Sequence, residues 1–216
     1  MRATKVLPAA FQPYATIDLA KNKALLAGLT LLGLGLFFVF GWLFIQLAIV
    51  LRGGADAAQV PGVDLTASAS GAFSFTLSGS WIVAVLLACF LVPVVHEATH
   101  GIFFWVFTRG RPRFAFKVLY AYAAAPDWYF PRGPYLLVGL APLVLLSFGG
   151  AALLHVAPVA LVLTLLAFLV FNAAGAVGDI VISIWLLFQP ATLLARDTGD
   201  GITLYRAASQ GGESQP

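Results

Sequence analysis

WIVAVLLACFLVPVVHEATHGIFFWVF, residues Trp81–Phe107, is an apolar run long enough to cross a bilayer, and His96-Glu97-Ala98-Thr99-His100 sits inside it. On a helix, imidazoles four residues apart leave the same face about 6 Å apart along the axis, near enough to share one zinc ion. The glutamate between them is placed to act as general base on a water that zinc activates. A charged side chain costs at least about 2.5 kcal/mol at the centre of a membrane helix, so a cluster of ionisable groups there asks for a reason. A hydrogen-bonded cluster without metal is the plainer alternative; a zinc site accounts for both residue types and their spacing.

Composition points the same way. Of the 216 residues 61% are hydrophobic and 10% charged, with a mean hydropathy of +0.94. A soluble domain carries about 25% charged residues, so the chain reads as an integral membrane protein. Its net charge of +3 makes no case for nucleic acid, because the basic residues flank apolar spans. The single Cys89 allows no intrachain disulfide. It lies roughly 10 Å along the helix from His96, too far to join the zinc. The first twenty residues, polar and proline-containing, do not read as a cleavable signal peptide.

Four apolar stretches, about Ala24–Leu51, Trp81–Phe107, Pro134–Leu154 and Val159–Phe188, are long enough to cross. Pro93, one turn before the His/Glu cluster, predicts a kink beside it. Arg2, Lys5, Lys21 and Lys23 precede the first span, and Arg109, Arg111, Arg113, Lys117 and Arg132 lie between the second and third. Arg196 and Arg206 follow the fourth, leaving Arg52 as the exception. The positive-inside rule then predicts both termini and residues 108–133 on the cytoplasmic side, with residues 53–80 and the turn near His155 outside. Phe114, Phe116, Val118, Tyr120 and Tyr122 alternate with their neighbours, which predicts a strand over Arg113–Ala124. Val63, Leu65, Ala67 and Ala69 before Ser70-Gly71, and Phe73, Phe75 and Leu77 after it, predict a hairpin against the membrane surface. Residues 211–216 read as a disordered tail.

A catalytic zinc usually takes three protein ligands and keeps one open position. Gly101 and Val106 break the longer motif that would supply a third histidine. Glu213, the one later glutamate, lies in the tail, and His155 falls near the outer surface. Asp18, Asp56, Asp64, Asp197 and Asp200 belong to termini or loops, and Asp127 reads as a turn residue. Asp179 remains, the other carboxylate inside an apolar span. It lies about nine residues, roughly 13 Å, from the cytoplasmic end of its span, the same depth as the midpoint of His96 and His100. Asn172, two turns earlier on the same face, is a candidate donor to a substrate carbonyl or oxyanion; an interhelical hydrogen bond explains it equally well. Gly175 and Gly178 allow close approach on that helix.

A span with H-E-x-x-H, a strand-bearing cytoplasmic loop, a return span and a span with an aspartate resemble the core of site-2-protease-like intramembrane zinc metallopeptidases. Closer still is the similarity to a group of small bacterial membrane proteins described as "putative zincin peptidases". The likeness covers about residues 81–190. His96, Glu97 and His100 match the zinc-and-base motif. Asn172 and Asp179 match the second motif in outline: AAGAVG stands between them and Ile180 follows, where the site-2 pattern has prolines, one more residue and a glycine. The expected fold is an all-α integral membrane protein of four transmembrane helices, with a three-helix metallopeptidase-like core and a short β-hairpin or strand in the loops. Residues 1–80 would form an N-terminal segment with the first span and outer loop, 81–190 the core and 191–216 a cytoplasmic tail.

The expected activity is zinc-dependent hydrolysis of membrane-associated protein substrates near the cytoplasmic side of the cell membrane. His96, His100 and Asp179 would hold Zn2+, Glu97 would be the base, and Asn172 would assist. The expected partners are the lipid bilayer and a transmembrane or membrane-associated protein, with no nucleic acid; a homo-oligomer stays open. The rival readings are a zinc-binding transporter and a catalytically silent adaptor.

Overall fold

The computed structural model describes residues 2–18, 21–53, 63–67, 73–117 and 121–208, giving backbone pairing alone for 63–67 and 73–77. The fold is mostly helical. Helices α1 (Lys23–Arg52), α2 (Gly79–Thr108) and α3 (Arg132–Val156) are each long and apolar enough to cross a membrane. Helices α4 (Val159–Gly175) and α5 (Val177–Leu187) pass the same test as a pair, bent by 42°. Leu31, Phe38, Trp42, Phe90, Phe148 and Leu187 are exposed on these helices. Such continuous apolar cover suits lipid tails and not water.

The fourth apolar stretch, expected as one span, is therefore two helices. The break falls at Ala176, within Gly175-Ala176-Val177-Gly178, where glycines lower the cost of leaving the helix. Asp179 consequently stands in the first turn of α5. Both Pro93 and Pro142 lie inside continuous helices.

The strand expected over Arg113–Ala124 is instead a hairpin of β4 (Arg113–Phe116) and β5 (Ala121–Ala124). Phe114 pairs with Ala123 and Ala115 with Tyr122, so Tyr122 faces the side opposite Phe114 and Phe116. Val118 and Tyr120 lie outside the described residues. In the 53–80 loop, β2 (Val63–Ala67) pairs antiparallel with β3 (Phe73–Leu77), as the alternation predicts. Asp56, Ala69, Ser70, Gly71, Glu213 and the tail 211–216 lie outside the described residues.

A four-stranded antiparallel sheet corrects the all-α expectation. β1 (Phe11–Asp18), β8 (Gly201–Ala207), β7 (Leu194–Asp197) and β6 (Phe130–Pro131) lie side by side in that order. Its strands come from three distant segments, and a register shift between Pro13 and Ala15 interrupts β1. No local period announces such a sheet.

The chain divides into two compact units, and α1, α2, α3 and α5 each contribute to both. One comprises Met1–Gly28, Glu97–Ala141 and Asp179–Pro216. Its core is Phe104, Phe130, Tyr135, Val138, Leu186, Leu193, Ile202 and Leu204, with the Phe104 and Phe130 rings edge to face at 5.4 Å. The other comprises Leu29–His96 and Pro142–Gly178, with Phe44, Ala48, Leu154, Val162, Leu169 and Ala173 buried together. Gly150 permits that packing, since a Cβ there would lie 2.5 Å from Leu169 Cδ2. In the same unit two helix ends cap each other. Arg52 Nη1 donates to Leu154 O and Ala157 O at 2.9 Å, and His155 Nδ1 donates to Leu51 O at 2.9 Å. The one basic residue that defies the charge rule is thus a helix cap.

Candidate metal centre

Helix α2 carries His96, Glu97 and His100 on about one turn, and one ligand atom from each lies within 4.8 Å of the others. Both imidazoles are buried, 7% exposed each. What holds each ring decides which nitrogen it offers.

His100 Nδ1 lies 2.9 Å from Val138 O. A carbonyl only accepts, so Nδ1 carries the proton and Nε2 faces the other way. Val138 O is available for a sequence reason. In a helix it would accept from the backbone N–H four residues on, but that residue is Pro142, which has none. His96 is held in an equivalent way. Its Nδ1 lies 3.0 Å from Asn172 Oδ1, and Asn172 Nδ2 donates to Pro142 O at 3.4 Å. The Pro142 carbonyl fixes the amide's orientation, so Oδ1 faces His96 and accepts from Nδ1–H. Asn172 is fully buried, and both ends of its amide are engaged.

Asp179 Oδ1 stands 3.5 Å from His100 Nε2. With the proton on Nδ1, Nε2 can face the carboxylate across a bound cation or as the N–H of an imidazolium. Two ligands of a tetrahedral zinc, bound at about 2.0–2.1 Å, are about 3.3–3.4 Å apart. Buried imidazoles anchored through Nδ1 to carbonyl oxygens, with a carboxylate at that spacing, are a donor set that fits zinc.

Glu97 accepts a hydrogen bond from Ala123 N at 2.5 Å. Ala123 belongs to β5, so the hairpin presents a backbone N–H to the would-be base. Gly101 seats this hairpin, because a Cβ there would collide with the Phe114 ring. Tyr122 packs over Gly199, whose φ of 85° closes the β7–β8 turn, and Lys117 pairs with Asp200 beside it. Asp197 begins that turn, accepting from Tyr135 Oη at 2.6 Å and from Gly199 N at 2.7 Å. Burial pushes its carboxyl above the ordinary 3.8, against the hydrogen bonds from Tyr135 and Gly199. The charge of His100 lowers it and that of Asp179 raises it. Asp127 pairs with Arg113 at 2.9 Å on the surface, in the turn Ala125–Trp128.

Of the sequence candidates, His96, Glu97 and His100 form the cluster; Asp179 reaches His100, and Asn172 reaches His96. Val138, Pro142 and Ala123 were not among the candidates. Two act through backbone atoms, which leave no side-chain signature; Pro142 is the one readable signal, since it exposes the carbonyl four residues earlier.

No curated protein and no solved structure matches the chain. Residues 89–194, which carry all of His96, Glu97, His100, Val138, Asn172 and Asp179, match the family model described as "Putative zincin peptidase".

Proposed function

We propose that this protein is an intramembrane zinc metallopeptidase that hydrolyses peptide bonds of membrane-associated substrates near the cytoplasmic face. His96, His100 and Asp179 hold the ion. Zinc bound there supplies Lewis-acid activation of water and of the scissile carbonyl. Glu97 takes the proton of the attacking water and passes it to the leaving amine, so water adds across the C–N bond that breaks. Asn172 keeps the His96 ring in place. The Glu97–Ala123 hydrogen bond sets the base beside β5, and an extended substrate segment would lie along the β4–β5 hairpin.

The observation that carries this reading is the pair of buried imidazoles anchored through Nδ1 with Glu97 between them. A zinc-binding transporter has no comparable need for that glutamate. Glu97→Gln in the purified protein should keep zinc and lose cleavage of a single-span model substrate by about 10²- to 10⁴-fold. Unchanged cleavage by Glu97→Gln would contradict the mechanism.

A further inference from the structure

Pro142 touches neither zinc nor substrate in this account, yet both imidazole anchors trace back to it. Its missing N–H leaves Val138 O without the usual helical donor, and that oxygen holds His100 Nδ1 at 2.9 Å. Its own carbonyl accepts from Asn172 Nδ2, and the Asn172 Oδ1 so oriented holds His96 Nδ1 at 3.0 Å. Both Pro142 and Asn172 are fully buried, so water does not compete for these groups.

We infer that Pro142 is a positioning residue: its missing N–H frees Val138 O to set the His100 ring, while its carbonyl, a group any residue there would supply, orients Asn172 toward His96. Its fitness as a helix residue is sacrificed for this, because an alanine would restore the backbone ladder. The role of the rings as zinc ligands rests on the proposed function; the ring orientation does not.

The two ideas can fail separately in one experiment. Protein with 15N-labelled histidine, purified in detergent, gives just three imidazoles, His96, His100 and His155. His155, which donates through Nδ1 to Leu51 O, is an internal reference remote from Pro142 in sequence. In wild type, His96 and His100 should each show a slowly exchanging, hydrogen-bonded Nδ1 proton, with or without zinc. Pro142→Ala should speed exchange of the His100 Nδ1 proton and shift it upfield while His155 stays fixed. Asn172→Ala should do the same to His96. Zinc affinity, read by competition with a chelator, should fall about 10- to 100-fold in each variant, while helix content holds and, in Pro142→Ala, thermal stability holds or rises. A His100 Nδ1 proton unaltered by Pro142→Ala, or absent in wild type, overturns the inference. Nδ1 protons that behave as stated in a wild type that binds no zinc support the positioning role and instead overturn the metal reading.

Discussion

At His100 a backbone oxygen, a carboxylate and the neighbouring base meet around one ring, and each can be removed separately. Asp179→Ala leaves the Val138 anchor intact and deletes a proposed ligand. It should lower zinc affinity more than the about 10- to 100-fold typical of losing a supporting partner; an unchanged affinity would remove Asp179 from the ligand set. Asp197 offers a test by pH. Burial raises its native carboxyl above 3.8, so the fold favours the protonated form. That contribution is full below the unfolded value and is lost as pH rises through the raised native one. Thermal unfolding should therefore fall over this window in wild type and flatten in Asp197→Asn; parallel curves would contradict the burial argument. Legibility at this scale followed chemistry. His96, Glu97, His100 and Asp179 were readable because ionisable groups are costly in an apolar helix, so few alternatives had to be searched. The Val138 carbonyl and the Ala123 N–H were not readable, since every residue but proline has both groups.

Among the elements, helices were read within a few residues of their ends, because long apolar runs in lipid have few options besides a helix. The hairpin of β4 and β5 was misread as one strand for a simple reason. Alternation that appears to continue from Arg113 to Ala124 does not reveal the reversal, and only the pairing of Ala115 with Tyr122 exposes the switch of face. The break between α4 and α5 was marked by Gly175 and Gly178, which composition alone reads as packing residues. Helix ends supply an independent prediction. Arg52→Ala removes two bonds, to Leu154 O in the last turn of α3 and to Ala157 O just past its end, and should cost about 1.5–3 kcal/mol, the usual range for a charged donor. Thermal unfolding in detergent reads this directly; a stability matching wild type would mean that water replaces the cap without loss.

Across the whole chain, the β1–β8 and β6–β7 pairings constrain the path through a bilayer. Hydrogen-bonded strands share one side of it. β6 and β7 flank α3 and the bent pair, and β1 and β8 flank all the helices, so an even number of crossings separates the strands of each pair; this parity supports our proposal that α4 and α5 together make the fourth crossing. Every Lys and Arg except Arg52 lies in the unit that contains this sheet, which supports our proposal that the sheet and both termini are cytoplasmic. A reporter active only in the cytoplasm should work when fused after residue 208 and fail when inserted between residues 53 and 63. The opposite pattern would invert the orientation while leaving an even number of crossings. The sheet itself was hidden from sequence reading because its pairings join positions far apart along the chain, such as Phe11 with Ala207. If α2 and α5 share one ion, X-ray absorption on stoichiometrically loaded protein will read its ligands. The expected spectrum shows one zinc per chain with two imidazole nitrogens and carboxylate or water oxygen at about 2.0–2.1 Å, and loss of an imidazole contribution in His100→Ala. Wild-type protein that retains no zinc, or whose zinc sees no imidazole, would contradict it.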